Sequence, residues 1–164
     1  MPDNLTNVII AGLGGQGVLT ASDLLAQAAL RAGFDVKKSE IKGMSQRGGS
    51  VTSDVRLGRR VLSPMVPAGE ADYLLVLDAS QVDCSRHDLA PGGKLILPTA
   101  VNPDQLPNKR SLNVALLGVL SAHLPLPEDC WLAALREGFR PEFFEANRQA
   151  FMLGRTGPAP NPTA

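Results

Sequence analysis

The chain has 164 residues, 44% of them apolar, with 16 basic and 16 acidic side chains. That length holds one domain with a real core and no second domain, and the charge balance leaves no sequence-wide field for nucleic acid or an anionic membrane. Cys84 and Cys130 lie far apart without CxxC spacing, no basic and apolar leader opens the chain, and the longest greasy stretch, 112–124, is too short to cross a bilayer, so a cytoplasmic, reducing setting is expected.

Residues 7–11, Asn-Val-Ile-Ile-Ala, read as a short strand, and the glycines that follow lead into a helix over 18–32, where apolar side chains recur at Val18, Ala21, Leu25, Ala28 and Ala32. Gly33 stops that helix. Residues 34–41 form a second strand, expected parallel to the first through a right-handed crossover as a βαβ unit. Residues 51–57 alternate in polarity, and Gly58-Arg59-Arg60 separates them from Val61-Leu62, the pattern of an antiparallel hairpin, so the sheet is expected to be mixed. The apolar runs 73–77 and 94–97, the latter after the turn Pro91-Gly92-Gly93, read as central parallel strands.

The last third is helical. Ser111 is positioned to cap a helix over 112–124, Pro127 stands in the first turn of another with Glu128 and Asp129, and Pro141 opens a third that Gly154 closes. The expected fold is a three-layer, Rossmann-like α/β domain over 1–155 with a mostly parallel mixed sheet, helices on both faces, and a disordered tail at 156–164.

Gly12-Leu13-Gly14-Gly15-Gln16-Gly17 matches GxGxxG at the place where that motif works, after a strand and before a helix. Gly12 would permit the tight turn, Gly14 the close approach of a ligand or second backbone, and Gly17 close packing of helix on strand. Free N–H groups at the helix start attract an anion. The competing reading is that these glycines serve packing alone. A dinucleotide would also need an acid after the second strand, for which Glu40 is the candidate, although a charge at a strand end is more often solvated.

A second motif, Gly43-Met44-Ser45-Gln46-Arg47-Gly48-Gly49-Ser50, follows the second strand and emerges at the same sheet edge as the first. Arg47, beside Gln46 and two glycines, offers a planar donor to a phosphate, a carboxylate or a partner's acid. Asp78, at the carboxyl end of a central strand, is either a ligand-edge residue or the cap of the next turn, and capping also accounts for Asn113. His87 and His123 have no second ligand at metal spacing, Cys84 beside Arg86 reads as an ordinary thiol, and Trp131, Leu132 and Leu135 form a core stripe.

Taken together, the segments GLGGQGVLT from Gly12, SEIKGMSQRGGSV from Ser39, Ser63-Pro64 with Gly69-Glu70-Ala71-Asp72, Asn113 to Gly118, and Glu145-Ala146-Asn147 with Ala150 to Gly154 resemble the gamma-type domain of the 2-oxoacid:ferredoxin oxidoreductases, and within it the indolepyruvate type. The resemblance runs from about Leu5 to Arg155. It implies a subunit of an enzyme that decarboxylates a 2-oxoacid, here an aryl pyruvate, on thiamine diphosphate with magnesium, passes electrons through [4Fe-4S] clusters to ferredoxin, and forms acyl-coenzyme A. The chain lacks the GDG…NN pattern of a thiamine site and the close cysteines of a cluster, so these cofactors are expected on a larger partner subunit and the isolated chain is expected to be inactive. By carry-over, Gly14, Gly15, Gln16 and Gly17 form one partner-facing or cofactor-facing loop with Gly12 at its base, and Ser45, Gln46, Arg47 and Gly48 form the other, Arg47 being the one catalytic candidate. An edge shaped for a partner would pair with a second copy when the partner is missing. The alternative is a stand-alone dinucleotide-binding protein.

Overall fold

The computed structural model describes residues 5–42 and 49–157. Its elements in chain order are β1 (Thr6–Leu13), α1 (Val18–Arg31), β2 (Asp35–Lys42), β3 (Ser50–Gly58), β4 (Ala71–Val76), the four-residue α2 (Val82–Ser85), β5 (Leu89–Ile96), α3 (Leu112–Ser121), α4 (Glu128–Gly138) and α5 (Pro141–Thr156). The α/β class and the mixed sheet are as expected. The sheet order is β2-β3-β1-β4-β5, with β3 antiparallel to both neighbours and β1, β4 and β5 parallel to one another.

Four departures from the sequence reading share one cause: local pattern reports how a strand is buried but not what lies beside it. The second strand does run in the direction of the first, but β3 lies between them, so the two do not pair. Residues 51–57 pair with β1 and β2 rather than with Val61-Leu62, which is not a strand. The run 94–97 belongs to an edge strand, not a central one. That strand begins at Leu89, and Pro91-Gly92-Gly93 is an irregularity within it, where Ala71 pairs with Leu89 but Tyr73 with Lys94. Gly92 there has φ +78°, a conformation other residues resist by roughly 1–2 kcal/mol.

The two faces of the sheet are covered unequally. Val8, Ile10, Val55, Leu57 and Leu75 point to the face on which α1, α3, α4 and α5 pack, forming the main core. Along α1, the buried Val18, Ala21, Leu24, Leu25, Ala28 and Ala29 form one stripe, each large side chain stabilising by roughly 1.5–3 kcal/mol. The opposite face, with Ile9, Ala11, Leu74 and Val76, is met among the described residues by the short turns 79–88 and by the loop before β4, from which Val66 is buried. The expected helices on both faces are therefore reduced on this side to single turns.

Helix ends also differ from expectation. Ser111 makes no cap bond; its hydroxyl donates to the Asn108 carbonyl at 2.5 Å, and α3 ends at Ser121 rather than 124. Pro127 is the residue before the first turn of α4, not within it. Gly154 does not close α5, which continues to Thr156; a side chain there would collide with the Ala115 carbonyl, so the glycine lets α3 and α5 touch backbone to backbone. The tail residues 158–164 lie outside the described residues.

Candidate functional site

The first glycine loop sits where β1 delivers the chain to α1. Gly15 and Gly17 both have φ +87°, and Gly17 is the residue that starts the helix. At Gly12 a Cβ would lie 2.9 Å from Val18 Cγ2 and 3.1 Å from Leu77 Cβ, leaving no room. At Gly17 it would run into the Asn113 carboxamide, whose Nδ2 donates to the Gly17 carbonyl at 3.2 Å. Gly14 N–H donates to the Gly49 carbonyl at 2.9 Å, the close approach of a second backbone that its position allowed. At Gly15, by contrast, a Cβ would meet nothing within 4 Å, so packing explains Gly12 and Gly17 while Gly15 faces open space.

Gln16 closes the loop from inside. Its Oε1 accepts the Leu13 N–H at 2.8 Å, and its Nε2 donates to Asp78 Oδ2 at 2.7 Å. Asp78 Oδ1 in turn accepts from the Ser80 backbone at 3.0 Å and the Ser80 hydroxyl at 2.6 Å, so Asp78 is both the cap of the turn after β4 and a partner of the glycine loop. The Ser80 hydroxyl first, and Gln16 second, hold the Asp78 carboxyl below its ordinary range. The network extends through buried Gln81, whose Nε2 donates to Ser80 Oγ at 3.3 Å and whose Oε1 accepts from Ser50 Oγ at 2.7 Å. Ser50, the last residue of the second motif, begins β3. Cys84 Sγ lies 3.3 Å from the Gln81 carbonyl oxygen, a structural thiol contact.

This geometry bears on the dinucleotide alternative. The connection after β1 crosses one face of the sheet and that after β4 crosses the other, so the β1–β4 boundary is the switch point where a dinucleotide would lie. There Gln16 is joined to Asp78, and Leu77 N–H to the Ala11 carbonyl at 2.8 Å, so the crevice is bridged by the protein itself. Glu40 is not next to the turn: β3 stands between β2 and β1, about two strand spacings or roughly 10 Å of sheet, and Glu40 pairs with Lys38 at 2.7 Å.

Beside the loop, a cleft of about 470 Å³ is lined by Gly15, Gln16, Leu77, Lys109, Arg110 and Asn113, with Leu112 at its side. Lys109 and Arg110 are exposed on a short turn that Asn108 fixes, its Oδ1 accepting the Arg110 N–H at 2.9 Å. Among the described residues no acidic side chain lines the cleft. Two cations, the open face of Gly15 and the amino end of α1 make a place for an anion. A separate cavity of about 340 Å³ lies at the other end of α3; its Arg155 is committed to Ser121 at 2.9 Å and to Glu128 at 3.6 Å.

Of the residues singled out in the sequence, Gly12, Gly14, Gly15, Gln16 and Gly17 are brought together with Asp78 and Asn113. Ser45, Gln46, Arg47 and Gly48 lie outside the described residues; Gly49 and Ser50, which follow them, are both bonded into the site. His87 is exposed beside Asp88, at 3.4 Å. His123 stacks on Tyr73 and is held below its ordinary pKa first by burial and then by Lys94. Trp131 is 1% exposed in the core. Sequence reasoning missed Lys109, Arg110 and Gln81. The available signal was a basic pair just ahead of a helix start, where the helix dipole disfavours cations.

The chain is similar to the indolepyruvate oxidoreductase subunit IorB of Thermococcus kodakarensis, 33% identical over 188 residues covering 90% of this chain and 93% of that one. Its fold matches the gamma subunit of a keto/oxoacid ferredoxin oxidoreductase from Geobacter sulfurreducens, with TM-score 0.78, 24% identity, and 92% of this chain and 96% of that chain covered. It also matches the fold of part of a 2-oxoglutarate:ferredoxin oxidoreductase from Magnetococcus marinus, with TM-score 0.81 and 19% identity, covering 98% of this chain but 33% of the longer one. Residues 7–110 match the family pyruvate ferredoxin/flavodoxin oxidoreductase, and the chain belongs to that family.

Proposed function

We propose that the chain is the small subunit of an oxidoreductase that converts an aryl pyruvate such as indolepyruvate, coenzyme A and two oxidised ferredoxins to aryl-acetyl-coenzyme A, carbon dioxide, a proton and two reduced ferredoxins. The identity of its relative, a subunit named for indolepyruvate, supports the substrate class. Thiamine diphosphate with magnesium would supply the carbanion chemistry and [4Fe-4S] clusters the electron path, both on a larger partner. The residues of this chain do not fit a cluster, since Cys84 and Cys130 are its only cysteines and a cluster takes four thiolates.

What this chain contributes is its carboxyl edge. The observation that carries the reading is the cleft where Gly15, the start of α1, Lys109 and Arg110 converge with no acid among the described lining residues. Those groups suit the phosphates of coenzyme A. In the assembled enzyme, Lys109→Ala with Arg110→Ala should raise the KM for coenzyme A at least tenfold, about 1.4 kcal/mol, with the KM for the 2-oxoacid unchanged. An unchanged KM for coenzyme A would remove the cleft from the mechanism.

Arg47 is proposed to act at the same edge. Arg47→Ala should lower turnover of the complex about tenfold or more, and Arg47→Lys should restore part of it, because a point charge cannot reproduce a planar two-pronged contact. Aryl and aliphatic 2-oxoacids compared at equal concentration test the substrate class; a preference for the aliphatic acids would overturn it.

A further inference from the structure

Gln81, in the turn after β4, is 7% exposed and stands behind the cleft rather than in its lining. Both ends of its carboxamide are used, and the chemistry of its neighbours fixes which end is which. Asp78, held below its ordinary range, is ionised and can only accept, so the Ser80 hydroxyl donates to it at 2.6 Å. Ser80 Oγ then accepts from Gln81 Nε2 at 3.3 Å, and Gln81 Oε1 is left to accept from Ser50 Oγ at 2.7 Å, with Cys84 Sγ at 3.4 Å. On the other side of Asp78, Oδ2 accepts from Gln16, whose own oxygen takes the Leu13 N–H. Leu13 is the register partner of Ser50. The contacts therefore close into a ring through Leu13, Gln16, Asp78, Ser80, Gln81 and Ser50, and both arms end on one carboxylate.

The ring spans a gap that the sheet leaves open. The ladder of β1 with β3 reaches Leu13 and Ser50, but that with β4 stops at Ala11 and Val76, with the Leu77 N–H on the Ala11 carbonyl as its last rung. Beyond Ala11, Gln81 joins the β4 side to Ser50 across the end of β1. Gly49, next to Ser50, offers its carbonyl to the Gly14 N–H at 2.9 Å, so the place of Ser50 governs the glycine loop that presents Gly15. Side chains fix a connection in the same way at the other end of this face. There Asp35 Oδ2 and Asp54 Oδ2 accept the Val61 and Val66 N–H at 2.7 and 2.9 Å, and Arg56 Nη1 donates to the carbonyls of Ser63 and Met65. At the glycine-loop end, the fixed segment is a binding surface.

We propose that Gln81 is the positioning residue of the anion cleft, holding both roots of the glycine loop so that Gly15 and the start of α1 meet the anion already in place. A loop ordered in advance loses little freedom on binding. The inference rests on the reading of the cleft as the seat of the coenzyme A phosphates.

Three variants test it. Gln81→Leu removes both bonds at similar side-chain size, Ser50→Ala removes one of them from an exposed position, where folding is not at stake, and Ser50→Thr keeps the hydroxyl. In the full chain, Gln81→Leu and Ser50→Ala should each speed amide exchange of Leu13 and Gly14 about tenfold, with Val8 and Ile10 of the same strand unchanged and Ser50→Thr like the wild type. In the assembled enzyme the same two variants should raise the KM for coenzyme A about fivefold, with kcat and the KM for the 2-oxoacid unchanged, and their combination should do no more than either alone. A role in stability alone would lower the maximal rate by loss of folded enzyme and leave the KM where it was. Unchanged exchange at Leu13 and Gly14 overturns the inference in the chain itself. Faster exchange with an unchanged KM for coenzyme A overturns it too, if Lys109→Ala with Arg110→Ala raises that KM. Should that variant leave the KM unchanged as well, the cleft reading fails and takes the inference with it.

Discussion

The two faces of the sheet are stabilised in different ways. On the helical face, apolar volume does the holding: Trp131 and Phe151 pack with ring centroids 5.5 Å apart, and α3 meets α5 so closely that Gly118 and Gly154 each face a carbonyl of the other helix, those of Phe151 and Ala115. On the other face, beyond the small cluster around Ile9 and Leu74, position is set by directed bonds from Asp35, Asp54 and Arg56. Burial is non-directional and hides surface, while a hydrogen bond fixes an atom and leaves the rest of its residue in solvent. Stability is thereby concentrated on one face and a defined exposed surface on the other.

Substitutions that act on one face alone would test this division. The largest effect is expected at Gly154→Ala, where the added methyl must push α3 from α5; unfolding by urea should show a loss of about 3 kcal/mol, with the 59–66 loop still protected from amide exchange. A loss of a few tenths would mean the helical contact is softer than its geometry implies. Arg56→Ala should do the reverse, costing about 1–2 kcal/mol globally while the Val61 and Val66 amides exchange faster and those of α3 do not. Equal acceleration on both faces would erase the distinction.

A comparison within the glycine loop reads the difference between two neighbouring glycines. Gly15→Ala carries the left-handed backbone penalty of about 1–2 kcal/mol but meets open space, whereas Gly17→Ala adds a collision with Asn113 and should cost clearly more. Equal losses in thermal melts would show that Asn113 moves aside freely. Smallest is the titration of Asp78, which is solvated and so contributes little. Its folded pKa lies below the ordinary 3.8, chiefly through the Ser80 hydroxyl, so its stabilisation is complete above pH 3.8 and fades as the pH falls through the folded value. Asp78→Asn should flatten that part of the acid limb of the melting temperature, and an unchanged limb would mean Gln16 needs no charged partner.

Much of this architecture is written locally in the chain. The strand at 7–11, the helix from Val18 and the apolar helix from 112 follow from periodicity and glycine placement, because their signals lie within a dozen residues. The insertion of β3 between β2 and β1 does not, since alternation along 51–57 shows a half-buried strand without naming its neighbours. Gly154 reads as a helix end because a packing glycine and a terminating glycine look alike in sequence. The glycine motif was legible as a site, yet its self-filling by Gln16 depends on Asp78, and the cleft's cations come from Lys109 and Arg110; both partners are distant in sequence.

The inserted strand also orders the assembly of the molecule. Lys42 pairs with Val51 across a short connection, whereas Ala11 must find Val76 at the far end of a long one. Closing the longer loop costs about 2 kcal/mol more in chain entropy, so the β2–β3 hairpin is expected to form before β4 arrives. The glycine loop can then acquire its fixed shape only when β4 brings Asp78 to Gln16, which makes the anion cleft a late product of folding and the hairpin its early scaffold.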